Sequence, residues 1–376
     1  MYKGTMRPFC TYDKLETPIN PDQVIFSAPI QTPDSIKKLY GIDKLDTSKN
    51  IDKFRPTIAI VDAYGNRTLK ADLAYFSAQF NLPIPKFTQY YEEVNDVSNI
   101  GPAIFVEGDL PLGYPTDSGW SLESTLDVEW VHAIAPYADI TMIIAQSSSW
   151  ADMVSAVKFA SNLPGVVAVN MSWGGGEDRS WLALEENFSN KRVVFLAASG
   201  DNGLGNNFPA VSPSVLAVGG TGVVTENSLI HEVACNFSGG GISDFFKMPK
   251  YQKKHNIIKK YSSKYRLTPD VAAFGAIAVA VYTSDPSIGA GWYGVYGTSV
   301  SVVIWSGIIG LFTQYRKKRF YRSHLQKLLY NILVSDEYHK YFNDITEGNN
   351  GANATEGYDL LTGIGTPKCD KLVHII

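Results

Sequence analysis

Cysteine is scarce in this chain. Its 376 residues include three, at positions 10, 235 and 369. They lie far apart and form no Cys-x-x-Cys pair, so zinc is not indicated and at most one internal disulfide can form. Long apolar runs are also missing. The longest, VAAFGAIAVAVY (271–282) and VVIWSGIIGLF (302–312), are too short to cross a bilayer and read as buried core. The amino terminus, MYKGTMRPFC, lacks the apolar stretch of a signal peptide. Charged residues make up 19% of the chain and the formal net charge is −4, with no cluster of Lys and Arg dense enough for a nucleic-acid footprint. The nearest candidate, KKHNIIKKYSSKYR from Lys253 to Arg266, reads as a solvated basic face. Neither nucleic acid nor a membrane is expected as a partner.

What is present is core material. Hydrophobic residues are 45% of the chain, an ordinary globular share, and the length suits one large or two ordinary domains. Residues 1–31 are proline-dotted and read as an irregular lead-in, and the absence of a strong linker favours one domain over 32–376. In TPDSIKKLYGI (32–42), Thr32 caps a helix, Pro33 opens it and Asp34 meets the positive end of its dipole. Apolar strands follow at TIAIVDAY (57–64), ADITMIIAQ (138–146), GVVAVNMSWGGG (165–176), RVVFLAASGDNG (192–203) and SVLAVGGT (214–221). Helical patterns at 149–162 and 180–190 lie between them. Strands that are apolar throughout and alternate with helices imply an α/β fold, a mainly parallel twisted sheet with helices on both faces.

Functional loops of such sheets gather at the carboxyl ends of the strands. Three features stand out there. LESTLDVEWVH (122–132) sets Glu123 and Asp127 four residues apart, on one face if the segment is helical. SGDNG carries Asp201 between glycines, and YGTSVS places Ser299 at a glycine turn opening an apolar helix. The last arrangement suits a nucleophile, because the turn exposes the oxygen and the helix terminus favours negative charge. Each has a plain structural alternative: a helix-capping serine for Ser299 and an Asp-Asn-Gly turn for Asp201.

A serine nucleophile needs a base. None of the six histidines, at 132, 231, 255, 324, 339 and 374, sits in an HGT-like turn. His132 lies nine residues beyond Glu123 and points to the opposite side of a helix. The carboxylates remain. Two acids one turn apart can share a proton and titrate as a unit, and a third acid held protonated can donate to an oxyanion.

In order along the chain, TPDSIKKLYGI, IAIVDAYGN, LESTLDVEWVHAIAPYADI, NMSWGGGE, AASGDNG, FPAVSPSVLAVGGT, GGGISDFF, TPDVAA and GTSVS resemble the sedolisin family of serine-carboxyl peptidases. The resemblance implies a subtilisin-like fold and peptide hydrolysis in acid, on peptides or unfolded proteins. It assigns Glu123 as general base, Asp127 as the acid hydrogen-bonded to it, Ser299 as nucleophile and Asp201 as the oxyanion-hole acid. Asp62, in VDAYG, is left structural. In the tail NDITEGNNGANATEGYDLLTGIGTP the resemblance implies one calcium ion, held by the Asp344 and Asp359 side chains and the carbonyls of Ile345, Thr355 and Gly357. It also implies a monomer, a secreted or otherwise acid-exposed location, and a prodomain that is separate from this chain or removed from it. FGAIAVAV, after TPDVAA, stands where an acidic, proline-containing segment is usual and bears on cleavage specificity. The rival readings are a catalytically inactive relative that binds peptides or partners, and a serine hydrolase with a histidine base.

Overall fold

The computed structural model describes residues 5–16, 30–51, 53–93, 103–226 and 229–376. At its centre is a nine-stranded sheet. The strand Thr57–Ala63 lies in the middle, parallel to Asp139–Ala145 on one side and to Val166–Met171 on the other. Val194–Ala198, Val215–Glu226 and Val271–Phe274 continue the parallel set one way, and Lys86–Glu92 continues it the other. Only Phe105–Glu107 and Leu229–Ala234, at the edges, run antiparallel in this sheet.

Alternation along the central strand sorts the core. Ile58 and Ile60 enter the apolar cluster under one layer of helices, whereas Ala59, Val61 and Ala63 enter the cluster under the other. The first layer holds two long helices, Ser118–Ile134 and Thr298–Arg316, packed on each other and on the sheet. A Cβ at Gly307 would stand 2.6 Å from Ile134, so glycine there lets the two helices close up. The opposite layer holds the helix Trp150–Asn162. The apolar run 302–312 is buried as expected, within Thr298–Arg316.

Three expectations need revision. The stretch 180–190 was expected to be α-helical; residues Arg179–Phe188 instead form tighter 3-10 turns. The lead-in is not irregular where it is described: Arg7–Pro8, Thr11–Lys14 and Ile30–Gln31 are strands. The basic run is a solvated face only in part. Its lysines are exposed, but Arg266 is fully buried and pairs with Asp270 through two nitrogens at 2.8 and 2.5 Å. Asp270 is in turn held by Tyr330 and the Ala217 amide. Arg266 lies on the strand Tyr265–Thr268, whose last three residues are all buried, and Asp270 pairs with it there, which a charge count cannot reveal.

Removing one partner of a buried ion pair strands the other charge. Arg266→Ala is therefore expected to cost about 3–5 kcal/mol in urea unfolding. Lys259→Ala, in the same basic run but exposed, is expected to stay within about 0.5 kcal/mol. Equal, small effects would contradict the buried-pair assignment.

Candidate active site

The helix Ser118–Ile134 starts where the Asp117 carboxylate accepts the Trp120 amide at 3.0 Å. From there Glu123 and Asp127 both point inward, each fully buried. Asp127 is clamped from the sheet: Oδ2 accepts from Asn170 Nδ2 at 2.7 Å, and Oδ1 from Ser172 Oγ at 2.8 Å. Asn170 Oδ1 accepts from Ser306 Oγ at 2.7 Å. Asn170 thus ties Asp127 to the second long helix. Glu123 faces the Cys10 thiol and the Ser299 hydroxyl, although neither of its oxygens meets a donor at full hydrogen-bond geometry. The expected hydrogen bond from Asp127 to Glu123 is not made; the Asp127 oxygens are taken by Asn170 and Ser172.

Asp62 joins them. It alternates with Ile58 and Ile60, so it faces the same helix layer, and it is buried with neither oxygen partnered. Burial pushes its carboxyl up to about 8. Burial first and the Asp62 charge second raise both Glu123 and Asp127 well above the ordinary carboxylate range, and Glu123 raises Asp127 further. Three buried acids packed together do not all ionise at once: ionising one makes ionising the next harder, so the cluster shares its protons.

Ser299 is the second residue of Thr298–Arg316. Gly297 precedes that helix with φ 141°, a left-handed conformation that glycine adopts freely. The Ser299 hydroxyl donates to Ser172 O at 3.0 Å, and its amide donates to the Phe9 carbonyl at 3.2 Å. Asp201 follows the strand Val194–Ala198, and its Oδ1 accepts from the Thr298 amide at 2.9 Å and the Thr298 hydroxyl at 2.7 Å. Its Oδ2 lies beside Gly297, within 2.6 Å of where a Cβ would be. Burial lifts the Asp201 carboxyl to about 7. The structure therefore brings together Glu123, Asp127, Asp201 and Ser299. Sequence reasoning missed Asp62, Asn170, Ser172 and Cys10 as neighbours; strand parity was the available signal for Asp62.

No histidine shares this site. His132 Nε2 meets the Pro83 carbonyl at 2.9 Å, and burial holds the ring down at about 4. In the tail, Asp344 Oδ2 accepts the Gly357 amide at 2.9 Å and Asp359 Oδ2 the Thr355 amide at 3.3 Å. Asp344 Oδ1 is buried without a partner. Among the described residues no three His, Cys, Asp or Glu side chains converge as a metal cluster, so a cation in this loop relies on carbonyl oxygens as well.

A subtilase family model matches residues 116–358. This chain belongs to the subtilase family, within its sedolisin branch. Kumamolisin of Bacillus sp. (strain MN-32) is 29% identical, over 77% of this chain and 56% of that protein. Tripeptidyl-peptidase 1 of Dictyostelium discoideum is 26% identical, over 92% of this chain and 58% of its own length. The chain spans a little over half the length of these curated relatives. Pseudomonas sedolisin, a serine-carboxyl proteinase solved with pseudo-iodotyrostatin, has the same fold: TM-score 0.72 at 21% identity, covering 93% of this chain and 98% of that one.

The raised acids set a pH dependence of stability. An unfolded chain releases these protons near pH ~4, whereas folded Asp62 and Asp201 keep theirs to about 8 and about 7. Between those limits the folded state binds more protons, so stability falls as pH rises. The melting temperature is expected to be higher at pH ~5 than at pH ~8, with the slope shallower in Asp62→Asn. A melting temperature that rises with pH, or an unchanged slope in the variant, would contradict the assignment.

Proposed function

We propose that this chain is a serine-carboxyl peptidase that hydrolyses peptide bonds of peptides or unfolded proteins in acid, through an acyl-enzyme on Ser299. The observation that carries this reading is the facing of Glu123 and Ser299 inside a buried cluster of acids that contains no histidine. Ser299 attacks the substrate carbonyl after its hydroxyl turns from Ser172 O toward Glu123. Glu123 takes the proton and delivers it to the leaving amine. Asp127, fixed by Asn170 and Ser172, lies one turn from Glu123 and shares the cluster's protons with it. Asp201, protonated below about 7, donates to the oxyanion together with the Ser299 amide. Water, activated by Glu123, then releases the acyl group.

The pH range follows from these roles. The oxyanion donor is lost as pH climbs through about 7, where Asp201 ionises, so activity is confined to acid. Cleavage of a denatured protein between pH ~3 and ~8 tests this, with wild type beside Ser299→Ala and Glu123→Gln. The expected outcome is activity in acid alone and a loss of at least about 100-fold in both variants. Full activity in Glu123→Gln would instead favour a histidine base, and a wild type inactive at every pH would favour the binding-protein reading.

The same reading includes one calcium ion in the tail loop. Two carboxylates bound to amides of the same loop, and an unpartnered Asp344 oxygen, fit a hard cation. Asp344, Asp359 and the carbonyls of Ile345, Thr355 and Gly357 would hold it, and it would supply stability rather than reaction chemistry. Calcium at about 100 times its dissociation constant is expected to stabilise the fold by about 2.7 kcal/mol. Asp359→Asn should abolish the calcium-dependent rise in melting temperature; no rise in wild type would refute the site. The reading is completed by a monomer working in an acidic compartment.

A further inference from the structure

The chain's densest run of positive charge lies outside the stretch 253–266. It is RKKRFYR, from Arg316 to Arg322, in which five of seven residues are Lys or Arg and the other two are aromatic. The run is too short to move the net charge, so composition alone gives no membrane partner. The fold decides what it can do. The helix Thr298–Arg316 ends here: Lys317 takes a left-handed conformation with φ 55°. The Lys317 and Lys318 amides donate back to the Gln314 and Thr313 carbonyls, each at 3.2 Å. The turn throws Arg316, Lys317 and Lys318 outward, and all three are exposed.

Other segments add to this charge and do not cancel it. The Arg322 amide donates to the Lys191 carbonyl at 3.1 Å, which brings the exposed Lys191 and Arg192 alongside. The Lys49 ammonium lies 3.8 Å over the Tyr315 ring. Among the described residues, no Asp or Glu side chain forms an ion pair with any of these cations. Glu185 acts on Arg322 only through space. A chain with a net charge of −4 thus gathers unneutralised positive charge on one face.

Beside the turn lies a hollow of about 110 Å³. Arg316, Lys318 and Arg319 rim it, and the buried Leu325 and half-buried Leu328 and Phe320 floor it. Tyr321, 47% exposed, stands at its edge. A nucleic acid would put phosphates on the rim and leave the apolar floor wet. An anionic bilayer satisfies both: its headgroups meet the cations, and its interface takes the tyrosine ring and the hollow.

The face is also turned the right way. Arg319 Nη1 donates to the Val166 carbonyl at 3.3 Å, and Val166 is the first residue of its strand. The basic face therefore lies at the amino ends of the parallel strands, whereas Asp201 lies beyond a carboxyl end. Ser299 begins the helix that Arg316 ends, about 26 Å away along its axis at 1.5 Å per residue. A membrane against Arg316–Arg322 leaves the serine facing solution.

We propose that the face built on Arg316–Arg322 docks this protein on an anionic lipid surface, with Lys317 and Lys318 on the headgroups, Tyr321 in the interface and the serine cleft turned away. Neither Ser299 nor the cluster of acids takes part, so the docking goes beyond the peptidase reading and does not depend on it.

The test is sedimentation of the full chain with lipid vesicles at neutral pH. Phosphatidylcholine vesicles with about 30% phosphatidylserine are expected to bind at least about 20-fold more tightly than pure phosphatidylcholine, and raising salt from about 0.1 M to about 1 M should release the protein. A lysine near such a surface contributes about fivefold, so Lys317→Gln with Lys318→Gln should weaken binding about 25-fold at an unchanged melting temperature. Lys253→Gln with Lys254→Gln, exposed but in the other basic run, should change it less than about twofold. Tyr321→Ser should weaken vesicle binding at least about threefold and leave retention on a DNA duplex unaltered. No preference for anionic vesicles, or equal losses in the two double variants, would overturn the proposal. A DNA duplex bound as tightly as the anionic vesicles would overturn the lipid assignment in favour of a nucleic-acid surface.

Discussion

Everything at this site depends on burying carboxylates without a countercharge. Glu123, Asp127 and Asp62 lie between two long helices and the sheet they cover, and among the described residues none has a lysine, arginine or histidine beside it. In such a place an acid either holds its proton or repels the next acid's charge. The polar clamp of Asn170, Ser172 and Ser306 matters for that reason. It satisfies both Asp127 oxygens and leaves the Glu123 oxygens free, so Glu123, the proposed base, is the member of the cluster with room to accept a proton. The fold supplies the separation: Asp62 comes from a central strand, Glu123 and Asp127 from one helix and Ser299 from another.

The parallel sheet was legible because its strands are apolar on both faces and are bounded by glycine and proline. Glu123 and Asp127 were legible because a spacing of four inside a buried helix aims both the same way. Ser299 and Asp201 stand in glycine turns at element ends, where short motifs carry real information. The remainder needed three dimensions. Asp62 sits in a strand that reads as uniformly buried, and only its parity with Ile58 and Ile60 places it among the acids. Arg266 ends a run of exposed lysines, yet its partner Asp270 and the surrounding core draw it inside. The strands at Arg7–Pro8 and Thr11–Lys14 could not be foreseen, because they pair with edges some 165 and 280 residues away, and such pairing leaves no periodicity in the short segment itself.

The same two edges bear on both the fold and the chemistry. Trp173–Gly176, just past the strand that carries Asn170, offers its backbone to Arg7 and Pro8. Gly291–Tyr296, just before Ser299, offers its backbone to Thr11–Lys14. Sedolisin shares the architecture at 21% identity, as expected when a buried pattern rather than particular residues maintains a fold. What this chain does rests on the cluster of acids and the serine facing it.

The central claim is that a carboxylate, not an imidazole, activates Ser299. The most direct measurement is acylation itself. A peptide ester with an aromatic residue at its acyl end is mixed with the protein in acid, the reaction is quenched within milliseconds, and the modified residue is located by mass mapping. The account predicts an acyl group on Ser299 in wild type at pH ~4, little at pH ~8, and none above background in Glu123→Gln. An acyl-Ser299 that forms as fast in Glu123→Gln as in wild type would contradict it.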